Sequence, residues 1–314
     1  MKYRLVTRSD FDGLVCAVLL KHLDLIDEIV FVHPKPVQDG LLDITDRDIL
    51  TNLPYSPDAH LVFDHHRSET LRVGTGATNH VIRPDAPSAA RVVYDHYGGK
   101  HAFPQVSDEM MAAVDAGDSG AYDLKEILYP EGWTLVNFLM DSRTGLGRFR
   151  HFRISNYQLM MKLITLCAQS PTADQLLAQP DVAERVEVYR KQANPFTEQL
   201  RRLGRMVDDV VVVDFRREQV IHAGNRFMVY ALFPQSRVSI HVLPGRGGTN
   251  TVLAVGKSIL DRTSPIDIGA VMLRHGGGGH RAAGSCQVEN ERADSLLAEV
   301  VTEVAARPAA ALTT

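Results

Sequence analysis

The sequence predicts an α/β protein: an N-terminal domain on a mostly parallel sheet, a helical connector, and a smaller α+β C-terminal domain. Three observations carry this expectation. Short apolar runs alternate with helix-length stretches from Tyr3 to Gly117, the pattern of right-handed crossover units. From Trp133 to Met206 the apolar spacing is helical throughout. After Asp208, β-branched runs separated by Gly, Pro and Asn return. A chain of 314 residues also exceeds what one ordinary core fills. The expected division is therefore residues 1–195, connector included, and 206–310.

In order, "YRLVTR" reads as a strand and "GLVCAVLLKHL" as a helix. "EIVFVHP", "LLDIT" and "AHLVFDHH" read as further strands. "SAARVVYDHYG" and "SDEMMAAVDAG" are helices, and the connector follows as "ISNYQLMMKLITLCA", "SPTADQLLAQ" and the charged stretch that ends "EQLRRLGRM". Ser170-Pro171 and Gln179-Pro180 interrupt the connector. "DDVVVVDFR", "RFMVYALFP", "RVSIHVLPG" and "NTVLAVGKS" read as strands of the second domain. "IDIGAVMLR" and "ERADSLLAEVVTEVAA" are helical, and "RPAAALTT" reads as a frayed tail.

Composition excludes several classes. The chain is 45% hydrophobic and 23% charged with a net charge of −4, so no bulk signal points to nucleic acid or membrane. No apolar run approaches the roughly 20 residues that span a bilayer, and "MKYRLVTRSDFDG" lacks a signal-peptide core. The three cysteines are far apart and form neither a zinc ribbon nor a disulfide framework. The expectation is a soluble, reduced, cytoplasmic protein with no membrane partner.

Acidic residues and histidines gather where strands should end. Asp10 and Asp12 follow the first strand, and alternate side chains share a face. Gly13 allows a tight turn into the helix. Asp43, Asp46 and Asp48 sit around another expected strand end. Asp64, His65 and His66 follow "LVF", and Asp115 and Asp118 close "AAVDAGDSGAY". Each group alone has an ordinary reading as a cap or a solvated carboxylate. Together they fall beyond the carboxyl ends of one sheet, where α/β proteins bind ligands. Oxygen and imidazole donors without thiolates suit Mn²⁺, with Mg²⁺ or Fe²⁺ as alternatives, better than structural zinc.

A second feature is "RHGGGGHRAAG". Ordered glycines lose the most entropy, so a run of them implies that bare backbone approaches something closely. Backbone N–H groups of Gly276, Gly277, Gly278 and Gly279, with Arg274, His280 and Arg281, would make a cradle for an anion. Lys257 and Ser258 in "VGKSILDR" add further anion contacts.

Asp10-x-Asp12-Gly13, an aspartate near 46, Asp64-His65-His66, an aspartate near 118 and Gly-Gly-Gly-Gly-His at 276–280 occur in one order. This ordered set resembles the DHH phosphoesterase superfamily with its C-terminal DHH-associated domain, over nearly the whole chain. The resemblance implies a two-metal site, manganese as a rule, with Asp10, Asp12, Asp46, His65 and Asp118 as ligands. Asp118 is preferred over Asp115 because "DSGAY" resembles the family's Asp-Thr-Gly-x-Phe, and Asp46 is preferred over Asp48. Asp64, His66 and Arg8 would form the catalytic group, with His66 at the scissile phosphate. The glycine loop, His280 and Arg281 would grip the substrate. A small phosphorylated substrate or short nucleic acid is implied, and a homodimer is the family expectation.

One departure stands out. The family places a histidine ligand four or two residues before the aspartate pair, where this chain has Val6 and Arg8. Water or Asp115 would have to fill in, the site would hold one metal less tightly, or Arg8 would touch substrate phosphate as a fixed charge. The leading expectation is hydrolysis of a short oligonucleotide, pAp or a cyclic dinucleotide. Exopolyphosphatase activity is the alternative, and a non-catalytic nucleotide sensor is the alternative from another class.

Overall fold

A computed structural model describes residues 2–305, so the C-terminal stretch "RPAAALTT" lies outside the described residues. The chain divides into two units. The first comprises residues 1–194 with 223–226, and the second 195–222 with 227–314. The division point falls inside one continuous helix, Pro180–Leu203.

The first unit holds a five-stranded sheet in the order β2-β1-β3-β4-β5. Its strands are β1 (Tyr3–Thr7), β2 (Ile26–Phe31), β3 (Asp48–Thr51), β4 (Leu61–Asp64) and β5 (His80–Ile82), and every neighbouring pair is parallel. Strand order reverses at β1, which has β2 on one side and β3 on the other. That switch point opens a crevice at the carboxyl end of β1.

The helix Phe11–His22 leaves β1 there. Its residues 11–20 are all buried, because it packs against the helices Ala89–His96, Asp108–Ser119 and Asn156–Cys167. An unbroken run, Leu14 to Leu20, therefore replaces the one-sided stripe of a surface helix. The turn into it requires glycine. A Cβ at Gly13 would lie 2.1 Å from the Arg8 carbonyl oxygen and 2.8 Å from Thr7 Oγ1. Trp133 packs against Phe11 with ring centroids 5.8 Å apart, and Met110, Met111 and Met160 are core residues.

Three expectations about elements are corrected. "LLDIT" is not a strand; the third strand is Asp48–Thr51, seven residues further on than expected at its start. Only Leu42 and Ile44 of "LLDIT" pack against the core, and Leu41 is 75% exposed. Asp48 could start a buried strand because the Arg4 guanidinium neutralises it, with Nε 2.6 Å and Nη2 2.8 Å from its carboxylate. "RFMVYALFP" forms the short helix Met228–Leu232 rather than a strand. The charged helix stops at Leu203, and Gly204–Val207 begins a new sheet.

The second unit is α+β. Its six-stranded sheet has the order β10-β11-β9-β8-β7-β6. The strands are β6 (Gly204–Val207), β7 (Val210–Asp214), β8 (Val238–Pro244), β9 (Thr251–Lys257), β10 (Gly278–Gly279) and β11 (Ala283–Val288). All pairs are antiparallel except β7 with β8. The core joins Val238, Ile240 and Val255 of the sheet to Ile268 and Met272 of the helix Ile268–Arg274 and to Val300 of the helix Ala293–Ala305. Among the described residues, no helix is long and apolar enough to cross a membrane.

Gly13→Ala must push the Arg8 carbonyl aside and should cost about 2–3 kcal/mol. Chemical denaturation reads this as a lowered midpoint, and an unchanged midpoint would contradict the close approach.

Candidate active site

Four segments converge at the carboxyl edge of the first sheet. The turn after β1 supplies Asp10 and Asp12. Asp10 caps the helix Phe11–His22 and accepts from the Gly13 N–H at 3.0 Å. Its other oxygen lies 3.2 Å from Arg8 Nε. Asp12, in the first turn, is 3% exposed. Its carboxylate accepts from the Ala89 N–H at 2.9 Å and the Ala90 N–H at 2.7 Å, at the start of the helix Ala89–His96. The free N–H groups and positive end of that helix offset the burial of the charge.

β4 delivers Asp64, His65 and His66. The His65 ring donates from Nδ1 to the Ala86 carbonyl at 3.1 Å, since a carbonyl only accepts. Nε2 is thereby turned toward two carboxylates, 3.2 Å from Asp118 and 3.8 Å from Asp12. His66 donates from Nδ1 to Asp64 at 2.7 Å. Asp118 comes from the last turn of the helix Asp108–Ser119, not from beyond it.

The two candidates in "DAGDS" are separated by what they touch. Asp115 binds the Arg91 guanidinium at 2.5 Å and accepts from the Ser88 hydroxyl at 2.7 Å. Asp118 reaches His65. Asp46 and Asp48 lie at the opposite end of their strand. β1 and β3 are parallel with Arg4 beside Asp48 and Thr7 beside Thr51, so the site is at the Thr7 and Thr51 end. Asp46, exposed and preceding β3, is therefore not brought together with Asp10 and Asp12.

The residue that does occupy the end of β3 is Asn52, which the sequence reading missed. It is fully buried with φ of 56°, a left-handed conformation that asparagine tolerates. Its Nδ2 approaches Asp10 Oδ1 at 3.4 Å, and its Oδ1 is buried without a hydrogen-bond partner. Placing the strand at Asp48–Thr51 would have exposed it as the strand-end residue.

Arg143 was also missed. It follows the buried helix Gly132–Met140 in "DSRTG" and lines a small cleft with Asp10, Asp12, Asp118, Asn137 and Asp141. Asp141 accepts from Arg143 Nε at 2.7 Å, and its second oxygen lies 3.1 Å from Arg226 Nε. Burial would raise the Asp141 carboxyl, but the two guanidinium groups hold it far below the usual carboxylate range. The signal available in the sequence was a polar Asp-Ser-Arg-Thr-Gly turn directly after an apolar helix.

Burial and neighbouring charge move Asp12, His65 and His66 far from their ordinary ranges. Burial, then the Asp118 charge, pushes Asp12 up to about 7, with His65 opposing. Burial resists charging of His65, but Asp118 and then Asp12 raise it to about 9. His66 goes the other way: burial, then the charges of His65 and Arg8, push it down to about 3.

Asp12, His65 and Asp118 each offer a ligand atom, and these atoms lie within 4.8 Å of one another. With Nδ1 committed to Ala86, a neutral His65 points a lone pair at two anionic groups. A proton or a cation must lie among them, and an imidazole and two carboxylates form a donor set for a hard or borderline divalent ion. The Ala86 carbonyl fixes the tautomer, as carbonyl partners of metal-bound histidines do. The residues fit a metal.

In the second unit, the glycine run is ordered for internal reasons. A Cβ at Gly277 would lie 2.0 Å from the Ser285 carbonyl oxygen, and one at Gly279 would lie 2.3 Å from that of Ala283. Gly278 pairs with Ser285 across β10 and β11. The N–H groups of Gly276, Gly277 and His280 donate to Leu273, Met272 and Ala283. The expected open nest of donors is thus largely closed on its own fold. Arg274 is paired with Glu303, as is His275 at 2.9 Å. The Ser258 hydroxyl accepts from the Leu260 and Asp261 N–H groups. Lys257 donates to the Ser264 carbonyl at 3.0 Å, and burial, then the charge of Arg281, lowers its pKa.

No family model matches the sequence, and no curated protein matches it. Solved structures do. A pGpG-specific phosphodiesterase from Vibrio cholerae is 55% identical, with 96% of this chain and 99% of that one covered and a TM-score of 0.74. RecJ of Thermus thermophilus, solved with Mg²⁺, is 16% identical, covering 98% of this chain and 50% of its own, at a TM-score of 0.48. A likeness that loose is no guide to function. With more than half of its residues shared along almost the whole length of the Vibrio cholerae enzyme, the chain belongs to the DHH family of phosphoesterases.

Proposed function

We propose that the chain hydrolyses a phosphodiester bond in a short nucleotide, with the linear dinucleotide pGpG as the first substrate to test. The observation that carries this reading is the convergence of Asp12, His65 and Asp118 on one point at the sheet's carboxyl edge. The substrate follows from the relative's stated specificity and the identity shared with it. The reading includes a divalent cation on those three residues, with Mn²⁺ the first choice because it accepts mixed oxygen and imidazole donors. It also includes a cytoplasmic setting and a second unit that recognises substrate through Lys257 and Arg281.

When bound, a divalent ion lowers the pKa of a water and neutralises charge on phosphate oxygens. The chain's own residues supply the rest. Asp12 is locked by the Ala89 and Ala90 N–H groups, so it cannot swing away as charge shifts. His66, held through Nδ1 by Asp64, is neutral near pH 7 and stands beside the cluster as an uncharged imidazole for contact with the scissile phosphate. Arg143, aimed by Asp141, places a permanent positive charge at the cleft. Fixed donors of this kind stabilise charge that develops on a phosphate.

With Mn²⁺ present, pGpG should yield GMP, and cyclic dinucleotide, pAp and polyphosphate should react far more slowly. Silence toward every member of this panel would overturn the reading. Arg143→Ala should lower kcat/KM by about 10²–10³-fold, with partial recovery in Arg143→Lys. Steady-state kinetics with intact circular dichroism checks this.

Metal affinity should depend on pH with a definite sign. The cation needs His65 neutral and Asp12 ionised, and both groups are raised without it, to about 9 and about 7. Between pH 9 and 7, one proton must leave His65, so affinity should fall about tenfold per unit as pH drops. Below pH 7 a second proton sits on Asp12 and the fall should steepen toward about a hundredfold per unit. Calorimetric Mn²⁺ titrations from pH 6 to 8 test it, and a flat profile would contradict the assignment.

A further inference from the structure

The family expectation is two cations, and the residues on the Asp10 side of the site do not suit a second one. The positions expected to carry a histidine ligand hold Val6, which is 2% exposed in the apolar core, and Arg8. The end of β3 offers the neutral amide of Asn52 instead of a carboxylate. Asp10 itself is already engaged. One oxygen lies 3.2 Å from Arg8 Nε, and the other accepts from the Gly13 N–H and the Asn52 amide. Asp10 is not among the three donors that converge. The nearby hydroxyls are also committed: Thr51 donates to Thr7 at 2.7 Å, and Thr7 donates to the Thr51 carbonyl. A divalent ion placed on Asp10 would face the Arg8 guanidinium across the same carboxylate, charge against like charge. A single neutral amide oxygen would be poor compensation.

We propose that this chain binds one catalytic divalent cation, on Asp12, His65 and Asp118, and that Arg8, held by Asp10, supplies the positive charge that a second cation would otherwise supply. The proposal rests on the phosphoesterase reading for the role of Arg8, though not for the count of ions. A guanidinium suits this task because it stays charged at any working pH and offers several N–H donors to phosphate oxygens. Asp10 becomes a positioning residue for Arg8, not a metal ligand.

The first test needs no substrate. Mn²⁺ bound per chain is measured by equilibrium dialysis and elemental analysis, with electron paramagnetic resonance of the loaded protein. One ion per chain with the six-line signal of an isolated Mn²⁺ is expected. Two tightly bound ions, or a spin-coupled pair, would overturn the proposal. The second test is kinetic. Arg8→Gln should lower kcat by about 10²-fold with one ion still bound, and Arg8→Lys should restore part of the loss. Full kcat in Arg8→Gln would overturn the role of Arg8. If no phosphodiester is hydrolysed by the wild type, the functional reading fails, and the ion count still stands or falls on the dialysis alone.

Discussion

The carboxylate of Asp12 is the point on which the first unit's chemistry depends. It is buried, it belongs to the turn after the first strand, and it accepts two N–H groups from the start of a helix nearly 80 residues later in sequence. That bond pair ties the switch point of the sheet to the helix Ala89–His96. Ser88, which caps that helix, also donates to Asp115, and Arg91 binds Asp115 as well. The helix that carries Asp118 is thereby fixed against the one that holds Asp12. The distance between the carboxylates of Asp12 and Asp118 is thus set by packing and capping, with His65 placed against both. Burying this carboxylate, and then bringing Asp118 close to it, costs free energy and raises the Asp12 carboxyl. Such a cluster is stable only with compensating charge, which a proton on His65 or a cation in its place supplies.

Much of this was legible in the residues. The Asp10-x-Asp12-Gly13 stretch does turn from strand to helix, with a severe steric need for Gly13, but Asp10 caps the helix Phe11–His22 and only Asp12 joins the converging donors. Asp64-His65-His66 does close a short apolar strand. What was not legible turned on one short strand. "DILT" carries only two aliphatic residues, Ile49 and Leu50, and begins with an aspartate. Nothing local favours it over the five-residue "LLDIT". The deciding contact, Arg4 with Asp48, joins residues 44 apart. Misplacing that strand made Asp46 look like a strand-end ligand and hid Asn52. Arg143 was hidden for a related reason. Its significance lies in Asp141 and Arg226, and the latter arrives from another part of the chain.

The glycine run teaches a different lesson. Its glycines are required, but largely by their own neighbours: β11 lies against Gly277 and Gly279, and the Gly279 carbonyl oxygen would be 2.6 Å from a Cβ at Gly269 of the adjoining helix. Close backbone approach was the correct physical inference, and the partner in that approach is the protein itself. A glycine-rich loop can therefore be ordered, indispensable and still present few free N–H groups. In this unit the side chains that carry charge toward solvent, such as Arg281, are better placed to meet an anion than the backbone is.

The segment Ala223–Arg226 has a further implication. It lies amid residues of the second unit, yet it belongs to the first. There the Gly224 N–H donates to the Thr144 carbonyl, the Asn225 amide to the Ile127 carbonyl, and Arg226 joins Arg143 on Asp141. The first unit is therefore discontinuous in sequence, and a cut at residue 194 would remove part of it. A C-terminal unit exchanged as a simple cassette would take this four-residue patch with it, and the first unit would lose the Arg226 contact to Asp141.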